Sequence, residues 1–254
     1  MSYISTNLNF LITVVKKVGG SLTRDFNEIE QLQTSLRGHQ EFTKAAIERV
    51  SKALRVELQK GRPDYAVISN AKDMPAAPCF AIAPLDGSLN FMHGIPYFAV
   101  SVAVIEKGQV TAAVVYNPAT ADLYFAEKGS GAFKEGYRNH ERLRVSVRKD
   151  LREALLSSQN TALSDSVAAV RLNGALSLDL AMLASGKFDA LIAQGAELGS
   201  FAAGVLLVKE AGGYVYEYNQ KDIRTDDVAS ILDSGNIIAG NTEIGPKLYA
   251  LLHK

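Results

Sequence analysis

The stretch Ala83-Pro84-Leu85-Asp86-Gly87-Ser88-Leu89-Asn90-Phe91 holds the residues best suited to chemistry. An Asp-Pro-Leu-Asp-Gly-Ser run at a strand end sets two carboxylates, a backbone carbonyl and a hydroxyl around hard cations, which take oxygen ligands. Here Ala83 stands at the place of the first carboxylate. What remains is Asp86, the Leu85 carbonyl, the Ser88 hydroxyl, and the amide groups of Gly87 and Ser88, which suit a phosphate oxygen. Two readings compete for Asp86: a catalytic or metal-binding carboxylate, or one that caps the turn after Pro84. Ser88 either positions a nucleophile or caps the segment that follows. His93, beside Gly94 and Ile95-Pro96, reads as structural, and His39, His140 and His253 are scattered without ligand spacing. Cys79 reads as a small buried hydrophobe.

Several elements must position that loop. Asn7 to Leu58 reads as helical, with Leu8, Leu11, Val15 and Val18, then Ile47, Val50, Leu54 and Leu58, at helical spacing. Strands are expected at Tyr65–Ser69 and at Phe80–Ile82, the second feeding straight into the Pro84 loop. A β-meander follows over Phe98–Ile105, Val110–Tyr116 and Leu123–Glu127, turned at Lys107-Gly108 and Asn117-Pro118. Arg142 to Arg148 alternates Arg142, Arg144 and Arg148 with Leu143, Val145 and Val147, which predicts a strand with one basic face. Beyond it lie helices at Ala175–Ala184, Phe201–Glu210 and Ile244–Leu252, and strands at Phe188–Ile192, Tyr214–Tyr218 and Ile237–Ala239. This order predicts α+β layering, with an N-terminal half at 1–140 that carries the loop and an α/β half at 141–254, packed as one unit.

Bulk composition narrows the function classes. The 254 residues suffice for one large domain or two packed halves. Lys plus Arg number 27 and Asp plus Glu number 27, so the net charge is zero, which argues against a strongly basic nucleic-acid binder. The stretch Lys134 to Arg152 nevertheless holds seven basic and three acidic residues, either a solvated face or a docking surface for an anionic partner such as RNA. A single cysteine excludes an internal disulfide and fits the cytoplasm. No run approaches ~20 apolar residues, so no membrane span is expected. The apolar stretch Leu8–Val15 precedes Lys16-Lys17, the reverse of a secretory signal.

Taken together, the motifs resemble the inositol monophosphatase family, including its bacterial SuhB-type members. The resemblance is carried by Gly38-His39-Gln40-Glu41-Phe42-Thr43, by Pro84 to Phe91 with His93-Gly94-Ile95-Pro96, by Val114-Val115-Tyr116-Asn117-Pro118, and by Lys128-Gly129-Ser130-Gly131-Ala132-Phe133. Ala181 to Asp189, Ala202-Ala203-Gly204 and Glu210-Ala211-Gly212-Gly213 extend it over most of the chain. It implies a layered α/β/α/β/α sandwich of the sugar phosphatase type, a homodimer, and Mg²⁺-dependent hydrolysis of small phosphate monoesters. In that chemistry the metals polarise phosphoryl oxygens and generate hydroxide from bound water.

Position by position, the resemblance expects acids that this chain lacks. Ala46 stands three residues after Thr43, where an acid would orient water. Asn70 stands at a Glu ligand, Ala83 at the first Asp ligand, and Ser200, in Gly199-Ser200, at a further Asp. Ala193 replaces a Glu that would accept a substrate hydroxyl, and the substrate segment reads Gly174-Ala175-Leu176-Ser177-Leu178. Asp86 is what remains of the acidic set. One carboxylate with the Leu85 carbonyl holds at most a weak, hydrated ion. The expectation is therefore a catalytically impaired member with a SuhB-like scaffold or partner-binding role, in transcription antitermination and ribosomal RNA processing with RNA polymerase-associated or RNA partners. Arg142, Arg144 and Arg148 are the candidate partner surface. The rival is an active Mg²⁺-dependent phosphatase that recruits Glu197, Asp179 and Asp73, and a third reading is a sensor that holds a phosphate ester at Gly87 and Ser88 without turnover.

Overall fold

The computed structural model describes residues 4–29, 36–159, 161–220 and 228–253. Two long helices open the chain, α1 (Thr6–Ile29) and α2 (Leu36–Gly61), each with one apolar stripe. Seven strands then form the first sheet in sequence order: β1 (Ala66–Ile68), β2 (Cys79–Asp86), β3 (Ala99–Glu106), β4 (Gln109–Asn117), β5 (Asp122–Glu127), β6 (Gly131–Lys134) and β7 (Glu141–Arg142). β1 runs parallel to β2, and the remaining neighbours are antiparallel. A five-residue helix α3 (Ser88–Met92) interrupts the sheet after β2. The second sheet has the order β11-β12-β10-β8-β9, built from β8 (Leu155–Ser158), β9 (Ala169–Arg171), β10 (Ala190–Ala193), β11 (Tyr214–Glu217) and β12 (Ile237–Gly240). Between these strands run α4 (Leu176–Ala184), α5 (Leu198–Glu210) and α6 (Val228–Ser234), and α7 (Ile244–Leu252) closes the chain.

Residue alternation on the strands fixes the layers. Phe80 and Ile82 of β2, with Val100, Val102 and Val104 of β3, point to a core shared with α1 and α2. Cys79 and Ala81, with Ala99 and Ala103, point the other way, into a core that holds α4, α5 and the inner face of the second sheet at Leu191, Ile237 and Ala239. Leu156, Ile192, Ile238 and Tyr216 face outward onto Ile244 and Leu248 of α7. The result is the expected α/β/α/β/α sandwich: helix pair, sheet, helix pair, sheet, helix. Small residues (Ala81, Ala99, Ala103, Ala202, Ala203) line the side of the first sheet against which α5 lies, which lets helix and sheet approach closely. α4 and α5 are buried on most of their surface, consistent with a central layer.

The expected meander forms, with the bounds of β3, β4 and β5 each within one residue of expectation. The strand expected over Arg142–Arg148 does not. Only Glu141–Arg142 pairs, with β6, and Val147 is 89% exposed. Leu143 and Val145 do turn inward, as the alternation predicts, but after the Leu143 amide bonds the Ala132 carbonyl of β6 the chain leaves the sheet, and the Val145 amide bonds the Ala211 carbonyl at the end of α5 instead. Among the described residues, no helix is long and apolar enough to cross a membrane.

Candidate functional site

β2 carries the loop to the middle layer. Its ladder with β3 is regular from Cys79 to Ala83, slips between Ala83 and Asp86, and resumes at the Asp86–Ala99 pair. Pro84, which has no N–H to donate, sits inside that bulge, and the bulge re-aims Asp86. Gly87 follows with φ of 81°, and a Cβ there would lie 2.8 Å from the Tyr97 carbonyl oxygen and 2.9 Å from Ala175 Cβ. The close approach of the α4 start to the loop therefore requires glycine.

Asp86 faces a cleft of about 250 Å³. Its walls come from β8 (Ser157, Ser158), the turn before α4 (Gly174, Ala175), β10 and its loop (Ala193 to Glu197) and the first turn of α5 (Ser200). The Asp86 carboxylate is buried. Its Oδ2 accepts from the Ser177 amide at 2.7 Å and from Ser177 Oγ at 2.6 Å, and the Ser200 hydroxyl, nearby on the cleft wall, helps to stabilise its charged form. Ser177 lies in the first turn of α4, whose N-cap Ala175 has no side-chain acceptor, so Asp86 caps that helix from another element. This corrects the expected turn-cap after Pro84: the cap exists, on a helix 91 residues away. Burial pushes Asp86 up to about 6, against the lowering effect of the Ser177 and Ser200 bonds.

A second carboxylate in the cleft is hydrogen-bonded through both oxygens. Asp179 accepts from the Tyr97 hydroxyl at 2.6 Å, Ser157 Oγ at 2.7 Å and Asn173 Nδ2 at 2.8 Å. Burial raises its pKa, opposed by those three bonds, and the Tyr97 hydroxyl is raised by its own burial and by Asp179. Asn90 steadies the arrangement by donating to the carbonyls of Tyr97 and Asn173, each at 2.7 Å. Sequence reasoning offers Asp179 only as a substitute ligand and misses Tyr97, Asn90, Ser157 and Asn173. The one available signal is their type: hydroxyls and amides next to turns.

The remaining candidates are dispersed. Leu85 is buried toward α1 and α2. Ser88 is absent from the cleft wall and lines a hollow against Gln40, Thr43, Lys44 and Ile47 of α2, and α3 is capped by Gly87 without a side-chain bond. Ala193 and Ser200 do line the cleft, whereas Asn70, Ala46 and Ala83 do not. Asn70 is exposed before a short 3₁₀ turn, Ala71–Asp73, and Asp73 is exposed on that turn. Glu197 sits at the cleft rim. Buried hydroxyls without a partner lie near two of the alanines: Thr43 Oγ1, one helical turn from buried Ala46, and Ser101 Oγ, directly across the ladder from Ala83. Among the described residues, no three His, Cys, Asp or Glu side chains converge on a point that suits a metal ion. His93 is exposed, His140 lies edge-on to Phe125, and His253 stacks on Tyr249. Cys79 is buried, and burial raises its thiol pKa.

The three basic candidates do not form one free stripe. Arg148 donates to buried Asp189 at 3.2 Å, a carboxylate that also accepts from Ser146 Oγ and the Leu155 amide. The Arg142 guanidinium lies 6.0 Å from the Phe133 ring centroid. Arg144 is exposed.

Comparison with known proteins gives this architecture a family. The profile described as "Inositol monophosphatase family" matches residues 4–254. The chain belongs to the inositol monophosphatase family. A relative from Rhizobium meliloti named inositol-1-monophosphatase is 36% identical, over 98% of this chain and 97% of its own length. That alignment spans 269 positions, more than this chain has residues, so it opens gaps here. A Xylella fastidiosa protein named Nus factor SuhB is 30% identical, over 96% of this chain and 94% of its own. The crystal structure of the extragenic suppressor protein suhB from Bartonella henselae superposes with a TM-score of 0.82 at 32% identity, over 99% of this chain and 100% of that one.

Proposed function

We propose that this member of the family is catalytically impaired and acts through partner binding, in the manner the SuhB-type relatives suggest. One observation carries the reading: among the described residues no three acidic, His or Cys side chains converge on a point that suits a metal ion. The carboxylate that remains, Asp86, is buried and already accepts two hydrogen bonds from Ser177 on one oxygen, and burial raises its pKa to about 6. A divalent ion needs ionised oxygens with free lone pairs, and several of them. The positions from which the family resemblance expects them hold Ala46, Asn70, Ala83 and Ser200, and the orphan hydroxyls of Thr43 and Ser101 flank two of the alanines. These residues do not fit a two-metal centre, so no hydrolytic step is derived through one. Gly87 and Ser88 are outside the cleft wall, which weighs against a phosphate ester held jointly by them and Asp86.

Relatives named Nus factor SuhB favour a transcription-linked role. RNA or polymerase-associated partners, a homodimeric state and a cytoplasmic location are part of the proposal. Arg144, with Arg142 and Arg148 beside it, is the proposed contact. The relatives named inositol-1-monophosphatase favour the alternative, an active Mg²⁺-dependent enzyme. Phosphate release from inositol monophosphate across millimolar Mg²⁺ decides between them. The expected rate is indistinguishable from the buffer blank, and turnover at an ordinary enzyme rate of roughly 1 s⁻¹ or more refutes the proposal.

A further inference from the structure

The two carboxylates of the cleft draw their hydrogen bonds from separated parts of the chain. Asp86, at the end of β2, is held by Ser177 of α4 and Ser200 of α5. Asp179, on α4, is held by Tyr97 just before β3, Ser157 of β8 and Asn173. Beside them the Gly199 amide of α5 donates to the Ser69 carbonyl at the end of β1. Every layer from the first sheet to the second is thus tied at one place, by neutral donors on two acids. We propose that this seam does in this chain the structural work of a bound cation: it holds the ends of the first sheet against α4, α5 and the second sheet, and the fold is indifferent to divalent ions.

Three features support it. First, both acids are held by neutral donors: Asp86 accepts two bonds from Ser177, and Asp179 accepts one each from Tyr97, Ser157 and Asn173, which offset part of the lost solvation. Second, the geometry serves the fold. The Ser177 amide is an otherwise uncapped first-turn N–H of α4, so releasing Asp86 to an ion would leave that helix end unsatisfied. Third, the contact is closed sterically. A Cβ on Gly199 would lie 2.0 Å from the Ile82 carbonyl oxygen, so the α5 start rests directly on β2.

The inference rests on the reading that the cleft holds no catalytic metal pair, and its test keeps the two apart. Thermal unfolding of the full chain is followed in EDTA and in millimolar Mg²⁺, for wild type, Ser177→Ala and the milder Ser200→Ala. The wild-type Tm is expected to agree within about 1 °C in the two buffers, because a ligand that does not bind the native state cannot shift it. Loss of a hydrogen bond to a carboxylate is expected to lower Tm by roughly 3–12 °C in Ser177→Ala and by a smaller, measurable amount in Ser200→Ala. Should Ser177→Ala not fold, Ser200→Ala alone carries the stability arm. A saturable Mg²⁺-dependent rise in Tm that Asp86→Asn abolishes overturns the seam, and so does a wild-type Tm in both serine variants. Mg²⁺ stabilisation without phosphate release would refute the seam and leave the functional proposal intact. Phosphate release from a protein whose Tm ignores Mg²⁺ would do the opposite.

Discussion

Gly199 offers the sharpest perturbation. It lies in the first turn of α5, and the backbone there has no room for any side chain. An added Cβ would sit 2.0 Å from the Ile82 oxygen, 2.4 Å from the Ile82 carbonyl carbon and 2.9 Å from the Ala83 nitrogen. All three are main-chain atoms of a central strand, so no rotamer change relieves them. Contacts under 3.0 Å essentially never occur for real Cβ atoms, so Gly199→Ala forces strand and helix apart by about 1 Å. Overpacking of this kind costs about 1–3 kcal/mol, and stretching the Gly199–Ser69 hydrogen bond adds ~1 kcal/mol. Alanine's better helix propensity recovers less than about 1 kcal/mol at a first-turn position. The net destabilisation is about 1–3 kcal/mol, which for a chain of this length lowers Tm by roughly 2–12 °C. Urea denaturation gives the free energy and circular dichroism the midpoint. A Gly199→Ala protein as stable as wild type would refute the close docking of α5 on β2.

Asp86 gives a pH signature. Its folded-state value of about 6 lies above the ordinary 3.8, so between those pH values the native state holds more protons than the unfolded one and stability falls as pH rises. Asp86→Asn removes that slope, so the stability of the variant relative to wild type should improve by roughly 3 kcal/mol between pH 4 and pH 7. Parallel urea midpoints for the two proteins across that window would contradict the burial of a titrating carboxylate. Away from the cleft, Arg144→Glu should leave stability within about 0.5 kcal/mol of wild type, while Arg148→Glu should cost about 1–2 kcal/mol by placing a like charge beside Asp189, which keeps its bonds from Ser146 and Leu155. Both should weaken RNA or protein association. Unchanged association by Arg144→Glu in a binding titration removes that face from the proposal.

How much of the fold is legible in the sequence depends on the range of the forces involved. β3, β4 and β5 are legible because β-branched runs and the turns at Lys107-Gly108 and Asn117-Pro118 are local signals. The long amphipathic helices are legible for the same reason. β8, with only Leu-Leu-Ser-Ser, and β9 carry no such signal and exist because β10 and each other supply ladder partners. The Arg142–Val147 alternation predicts facing correctly at Leu143 and Val145 but implies pairing beyond Leu143, which β6 does not provide. At the site, the loop containing Asp86 is found by its own residues. Its partners are not, because Ser177 lies 91 positions from Asp86 and Tyr97 lies 82 from Asp179. Hydrogen-bond saturation is a property of the folded cleft, and a sequence shows the acid without showing whether it is free.

The same saturation explains which acids a cation-free cleft can keep. Two ionised carboxylates at close range repel by roughly 1–4 kcal/mol even at moderate dielectric, and each buried one without donors costs several kcal/mol more. Neutral donors offset part of that penalty, with two bonds from Ser177 at Asp86 and three bonds at Asp179, and burial still raises both pKa values. At Ala46 and Ala83 the arrangement is the reverse. A single hydroxyl waits nearby, Thr43 in one case and Ser101 in the other, and neither finds an acceptor. An orphan hydroxyl costs about 1–3 kcal/mol, while a lone buried carboxylate served by one hydroxyl costs more. Without a cation to offset the charge, alanine beside an unsatisfied hydroxyl is the lower-energy choice. Removing the orphan, by Ser101→Ala or Thr43→Val, is therefore a stabilising direction that a metal-bearing relative would not share, and a urea midpoint below wild type in both variants would contradict it.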